Sequence, residues 1–204
     1  MLSTVLAVHE GLGDSRRLHS IGHVGQSISA AELGVLFLLG ASAALISAAG
    51  RLNLGIPGHN VIRVIFPMAL GLAAVPRRGA ASVMGASGMA AALVLTLGGA
   101  RGIGVGALTS LVLTGLLLDL VLLGARQGRS IYVRFALAGL AANMAALLMR
   151  GGVKMLTGEP VLVWLPKAAV TYPVCGIVAG LISAGVWFRF GADSPPQFGG
   201  EDTA

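Results

Sequence analysis

The sequence alternates between long apolar segments and short breaks that contain Gly, Pro or Arg. An apolar run of about 20 residues is long enough to cross the hydrocarbon core of a bilayer as a helix. Charged residues make up only 11% of the chain, against roughly 25% in a soluble domain, and this is too little to cover a water-soluble surface. These features predict an all-α, polytopic membrane helix bundle. They exclude a soluble enzyme domain, a disordered chain and a nucleic-acid-binding module.

The hydropathy pattern divides the chain into three parts. Residues 1–29 form a polar N-terminal tail, expected to be exposed or folded as a short surface helix. Residues 30–190 form a transmembrane domain, and residues 191–204 form an acidic C-terminal tail that is expected to be disordered. Within the domain we expect about six transmembrane helices, at residues 31–50, 60–75, 80–98, 103–124, 131–149 and 167–189.

The distribution of Lys and Arg predicts the orientation of these helices, because basic residues are retained in cytoplasmic loops. With the N-terminus inside, the cytoplasmic set is the larger one and contains Arg16, Arg17, Arg77, Arg78, Arg126, Arg129, Arg134 and Arg189. The outer set contains Arg51, Arg101, Arg150, Lys154 and Lys167. Both termini are therefore predicted to be cytoplasmic.

The stretch LGIPGHNVIRVIFP, residues 54–67, places polar side chains at the start of the second span. His59 and Arg63 are four residues apart and therefore share one face of a helix. Pro67 has no N–H to donate to the Arg63 carbonyl, which predicts a kink at this level. An arginine inside a span faces a polar cavity or a partner by default. The alternative is an arginine that snorkels to the outer surface.

Further polar residues of the last two spans, and of the loop between them, share this depth in the membrane. They are Asn143, Glu159, Trp164, Lys167 and Tyr172. Together with His59, Asn60 and Arg63 they predict a binding site for a small polar ligand in the outer half of the bundle, under a loop. Trp164, Lys167 and Tyr172 are also explained as an ordinary belt at the headgroup level.

Gly40, Ala44 and Ala48 recur every four residues and form a small-residue stripe on the first span. Small residues let helix backbones approach closely in lipid. The stripe either packs inside the chain's own bundle or forms a groove for a helix of another subunit. On the fourth span, Asp119 is expected to pair with Arg126 or Arg129 or to face a water-filled cleft, with a proton relay as the alternative.

Three motifs resemble catalytic or metal-binding patterns but lack the residues that the chemistry needs. The GASG stretch around Ser87 is like a membrane-protease serine motif, yet every histidine precedes it, and small-residue packing explains it better. His19 and His23 have a chelating spacing, but in a polar tail solvated histidines are the simpler interpretation. Residues 98–106 lack the lysine of a phosphate-binding loop. We therefore expect no enzyme activity, cofactor or metal.

This architecture resembles the substrate-binding S components of energy-coupling-factor (ECF) transporters. A chain of about 200 residues with six spans, both ends inside and a small-residue stripe on the first span is typical of that family, and LGIPGHNVIRVIFP followed by PRRGA is similar to its sequences. The resemblance covers residues 30–190. It implies a prokaryotic plasma (inner) membrane location, a vitamin or metal held beneath the loop that joins the first two spans, and an integral coupling subunit with an ATPase pair as partners.

Carried over to this chain, the resemblance implies that His59, Asn60, Arg63 and Asn143 contact the ligand and that residues 51–58 form the gate. Arg63 and Lys167 favour an anionic or carboxylated substrate.

The same resemblance implies that Ala44 and Ala48 contact the coupling subunit. Metal-specific relatives carry a histidine directly after the initiator methionine, and Leu2 at that position argues against nickel or cobalt. The alternative function is a non-transporting structural or accessory subunit of a larger membrane complex, without a ligand.

Overall fold

The computed structural model describes residues 7–9, 12, 15–18, 28–49, 56–99, 105–125, 128–158 and 160–189, with the backbone alone for residues 105–107 and 161–164. These residues form six α-helices and no strand, which confirms the all-α prediction for the described chain. The helices are α1 (Ala30–Ala49), α2 (Ile62–Ala74, preceded by a 3-10 turn at His59–Val61), α3 (Ala80–Leu97), α4 (Val105–Leu122), α5 (Arg129–Leu156) and α6 (Val161–Trp187).

Four segments are long and apolar enough to cross a membrane, namely Ala30–Ala49, Ala80–Leu97, Arg129–Leu156 and Leu165–Trp187. Two further apolar segments, His59–Ala74 and Leu108–Leu122, are shorter. The described chain therefore has the helices of an integral membrane protein. Helix α5 continues seven residues past the predicted end of the fifth span, because Arg150 and the two glycines after it do not end the helix. Its 28 residues correspond to about 42 Å, which exceeds the hydrocarbon thickness of about 30 Å.

Helix α2 is the most enclosed element of the described bundle. It contacts α1, α3, α4 and α6, and none of its residues is classed as exposed. Its buried residues include Pro67, Met68 and Gly71. Because protein rather than lipid surrounds most of its surface, the 13-residue helix α2 is not required to match the bilayer thickness.

The other five helices follow one another around the bundle. Helix α1 contacts α3, α3 contacts α4, α4 contacts α5, and α5 contacts α6, while α2 lies between α6 and α1. We call the end at which α1, α3 and α5 begin the proximal end, and the opposite end the distal end.

Glycines mark the places where these helices cross most closely. A Cβ added to Gly139 of α5 would meet the backbone of Gly176 on α6, with the Gly176 carbonyl carbon 3.0 Å away. On the other side of the bundle, a Cβ on Gly88 of α3 would lie 2.8 Å from the Gly40 oxygen of α1. The GASG stretch around Ser87 is thus part of the α1–α3 crossing, as the packing interpretation predicts.

The small-residue stripe of α1 faces the chain's own bundle. Gly40 packs against Met84 and Ser87 of α3, Ala44 has no exposed surface, and Ala48 is half-buried against the core. Gly40 and Ala44 are therefore covered within this chain, and the groove for a helix of another subunit is not present at these two positions. The stripe's spacing is explained by the α1–α3 crossing.

The described N-terminal residues, 7–9, 12 and 15–18, lie across the proximal end, and we call them the N-terminal strap. At one junction the strap pairs with the α2–α3 turn, where His9 N donates to Pro76 O at 2.8 Å and Arg78 N donates to Ala7 O at 2.9 Å. At a second junction, Arg17 N donates to Trp187 O at 3.0 Å. Leu12 has no exposed surface. Of the two expectations for the tail, exposed or folded as a short surface helix, exposure does not hold for His9, Leu12 and Ser15, which are buried.

A buried ion pair lies at the proximal end, at the start of α1. Arg77 Nε and Nη2 each donate to a Glu32 carboxylate oxygen at 3.1 Å, and the two side chains are 2% and 7% exposed. Glu32 also accepts from Ser29 N, and Ser29 Oγ accepts from Glu32 N, which is a capping box for α1. Arg77 was assigned to a cytoplasmic loop for its topology, and the structure shows that it also joins α1 to the α2–α3 turn.

Asp119 lies at the proximal end of α4, and Arg126, one of its two expected arginine partners, lies outside the described residues. The Asp119 carboxylate accepts hydrogen bonds from Ser82 N at 2.7 Å, from Ser82 Oγ at 2.5 Å and from Ala81 N at 3.3 Å. These groups belong to the first turn of α3, whose backbone N–H groups have no partner within their own helix. Asp119 therefore caps α3 from a neighbouring helix.

Candidate functional site

The candidate site lies at the distal end, where the turn before α2 meets α5 and α6. Gly58 in this turn has a φ of +86°, a left-handed conformation that favours glycine. A Cβ at this position would lie 2.9 Å from Asn143 Nδ2 and 3.0 Å from Tyr172 Cα. Both the backbone conformation and the close approach therefore require a glycine at position 58.

Asn143 of α5 fastens this turn to the bundle. Its side-chain nitrogen donates to Gly58 O at 3.1 Å and to Tyr172 O at 2.7 Å. The residue is 3% exposed. Asn143 was predicted as a ligand contact, and in this conformation its amide N–H groups are bonded to backbone oxygens of the chain itself. Its role in the structure is that of a latch between the turn and the α5–α6 pair.

Tyr172 of α6 lies beneath the same turn and is 3% exposed. Its hydroxyl accepts a hydrogen bond from Arg150 Nη1 at 3.1 Å. Because Tyr172 is buried, it is not exposed to the headgroups as the belt interpretation requires, and its contact with a ligand stays a prediction. Arg150 was predicted only as a topological marker. Its position seven residues after Asn143 was the available signal, since two helical turns place both residues on one face.

His59, Asn60 and Arg63 follow the turn directly. His59 is half-buried, and its Nδ1 lies 2.5 Å from Ile56 O, so this nitrogen carries the proton and donates it. Asn60 is exposed, and Arg63 is half-buried in the first turn of α2. Pro67 is buried four residues further along the same helix.

On the opposite side of the site, Lys167 is exposed five residues before Tyr172. Glu159 lies outside the described residues, and so does the side chain of Trp164. The structure thus joins Asn143 and Tyr172 in one hydrogen-bonded group with Gly58 and Arg150. His59 follows Gly58 directly, and its side chain bonds to Ile56 O of the same turn.

The chemistry of this end is polar and basic. The described charged residues here are Arg63, Arg150, Lys154 and Lys167. Cys175 of α6 lies under the turn, with its sulfur 3.9 Å from Pro57 O. Among the described residues, no group of three or more His, Cys, Asp or Glu side chains is placed to hold a metal ion. His19 and His23, which have a chelating spacing, lie outside them.

No protein-family model matches the chain, and no curated protein and no solved structure matches it either. The described structure defines the class in coarse terms. The part of the chain that the structure describes is an all-helical bundle with the helices of an integral membrane protein, and its distal turn is bonded to α5 and packed on α6.

Proposed function

We propose that the chain is the substrate-capture subunit of an ECF-type uptake transporter for a small micronutrient-like molecule. In this proposal all six apolar helices cross a prokaryotic inner membrane, including the shorter α2 and α4. Both termini lie in the cytoplasm. The distal end then faces the outside, where the molecule is captured.

The observation that carries the proposal is the attachment of the Pro57–Gly58 turn through Asn143. A turn held to the bundle by one hydrogen bond from a neutral side chain is released at a modest free-energy cost, about 1 kcal/mol for that bond. Such a turn suits a gate that opens to admit a ligand and closes over it. Tyr172 and Arg150 form the support on which the closed gate rests.

In the proposal, polar residues on both sides of the gate contact the captured molecule. His59, Asn60 and Arg63 contribute from the α2 side. Glu159, Trp164 and Lys167 contribute from the α5–α6 side. Asn143 and Tyr172 contact the molecule when the turn opens, because opening releases the Asn143 amide. An integral coupling subunit and an ATPase pair supply the energy for release.

Co-purification from native membranes tests the class of protein. The tagged chain is expected to bring a second integral subunit and an ATPase pair, and the complex should hydrolyse ATP. A fixed assembly without nucleotide hydrolysis would overturn the proposal in favour of a structural subunit.

Native mass spectrometry of the detergent-purified chain tests the site. We expect one small molecule per chain, lost in Arg63→Ala. Arg78→Ala removes the same charge at the proximal end and should retain the molecule, provided that both variants show the wild-type far-UV circular dichroism. Unchanged retention by Arg63→Ala would contradict the site assignment.

A further inference from the structure

The exposed charges of the proximal end have a uniform chemistry. Among the described residues at this end, every exposed charged side chain is an arginine, and the four are Arg17, Arg78, Arg129 and Arg189. The acidic residues described at this end do not offset them at the surface, because Glu32 is buried with Arg77 and Asp119 caps α3.

These arginines lie at the ends of apolar helices. Arg78 precedes the segment Ala80–Leu97 by two residues, Arg129 begins its segment, and Arg189 follows Trp187 by two residues. Positions that flank a membrane-spanning helix lie at the level of the lipid headgroups. The arginine-rich surface is therefore at the depth of lipid phosphates.

The N-terminal strap holds two of these arginines side by side. Arg16 and Phe188 form an antiparallel bridge, with Arg17 N bonded to Trp187 O and Arg189 N bonded to Ser15 O. In this arrangement Arg17 and Arg189 are diagonal neighbours, whose Cα atoms are roughly 7–8 Å apart in a regular pair. Two exposed arginines whose backbones are held at this spacing are able to share one anion between their guanidinium groups.

Arg17 is also oriented by its side chain. Its Nε donates to Phe188 O at 3.2 Å, which directs the rest of the guanidinium away from that carbonyl. A guanidinium presents paired N–H groups that match the oxygen spacing of a phosphate, and a lysine ammonium does not. At the other junction, the Arg78 backbone is held by its N–H bond to Ala7 O, and its side chain is exposed.

From this arrangement we propose that the proximal end binds the phosphate group of an anionic phospholipid, and that Arg17 and Arg189 form the centre of this site. The lipid phosphate bridges the strap to the end of α6. Binding therefore holds the strap on the bundle. This site is independent of the small-molecule site at the distal end.

Native mass spectrometry of the full chain, released from nanodiscs, tests the proposal. The lipid is either phosphatidylcholine alone or phosphatidylcholine with phosphatidylglycerol. We expect phosphatidylglycerol to remain bound preferentially, and Arg17→Gln/Arg189→Gln to weaken its binding constant by roughly 25-fold, since each arginine near an anionic surface contributes about a fivefold factor. Arg150→Gln, which removes an exposed arginine at the distal end, should retain the lipid.

Three outcomes would overturn the proposal. The first is equal retention of both lipids, and the second is equal loss in Arg150→Gln. The third is saturable binding of inorganic phosphate to the detergent-purified chain without a preference for phosphatidylglycerol, which would identify a site for free phosphate.

Hydrogen exchange provides a readout that does not depend on retention in the gas phase. The amides of Arg17 and Arg189 should exchange more slowly in nanodiscs with phosphatidylglycerol, and unchanged exchange would count against the bridging role.

Discussion

Asn143 and Gly58 are 85 residues apart in the chain, yet the Asn143 side chain donates a 3.1 Å hydrogen bond to the Gly58 carbonyl. The same nitrogen donates to Tyr172 O. One buried amide therefore connects the turn before α2 to both α5 and α6. The first two predictions follow from this connection.

Removing the amide should release the turn. In Asn143→Ala both carbonyls lose their donor, and we expect a loss of about 1–3 kcal/mol in the free energy of unfolding. Cys175 is the only cysteine of the chain and lies beneath Pro57, so its rate of maleimide labelling in detergent reports opening of the turn. We expect labelling about tenfold faster than in the wild type. Asn60→Ala, at an exposed asparagine, is the control and should label at the wild-type rate. Equal rates in the two variants would show that Asn143 is not the latch.

The packing of Gly58 can be separated from its backbone conformation. Gly58→Ala should destabilise the protein both through its positive φ and through contact with Asn143 and Tyr172. Gly99 has a φ of +81° and no atom within 4 Å of an added Cβ, so Gly99→Ala measures the conformational cost alone, about 1–2 kcal/mol. We expect Gly58→Ala to cost more than this and to accelerate Cys175 labelling. If Gly58→Ala and Gly99→Ala destabilise the protein equally, the turn shifts to accommodate the added methyl group, and close packing at Gly58 is not required.

The Glu32–Arg77 pair should be sensitive to the loss of either partner. Glu32→Gln leaves a buried guanidinium without its counter-charge, with an expected loss of about 3–5 kcal/mol in SDS-induced unfolding of mixed micelles. The double variant Glu32→Leu/Arg77→Met should be less destabilised than Glu32→Gln, because no buried charge remains. Arg78→Gln, at the exposed neighbouring residue, should stay within about 0.5 kcal/mol of the wild type. If the double variant is at least as unstable as Glu32→Gln, the instability of the single variant does not come from an unpaired buried charge.

The crossing of α5 and α6 should not accept a methyl group. Gly139→Ala places a Cβ against the Gly176 backbone, and overpacking of this kind costs about 1–3 kcal/mol. Gly152 lies on the same helix with open space around it, so Gly152→Ala should stabilise the protein by about 0.5–1 kcal/mol through helix propensity. SDS-induced unfolding followed by circular dichroism measures both. The prediction fails if both substitutions raise, or both lower, the stability measured by SDS-induced unfolding.

The features that sequence reasoning predicted share a local origin. Apolar runs form helices because backbone groups in lipid must be bonded within their own segment. The close packing at Gly40 and Gly88 follows from residue size. The end of α5 was misplaced because Gly151 and Gly152 resemble a break, whereas the helix continues through them.

The contacts that were missed join residues far apart in the chain. Arg77 was predicted only as a member of the cytoplasmic set, because basic residues mark the ends of spans. Its partner Glu32 is 45 residues away, so only the three-dimensional packing brings the two together. The capping box formed by Ser29 and Glu32 is local to the start of α1, and its spacing carries no information about Arg77. The pairing of Asn143 with Gly58 is equally non-local.

The N-terminal strap imposes an order on the assembly of the molecule. The bond between Arg17 Nε and Phe188 O closes a separation of 171 residues. At a synthesis rate of about 5–20 residues per second, residue 188 is made roughly 10–30 s after residue 17. Early in that interval Pro76 is made, so the first junction can form. The second junction has to wait for Trp187. Arg17 therefore completes its contact with residue 188 only after the helices between them have been made, and the second junction closes only when α6 is in place.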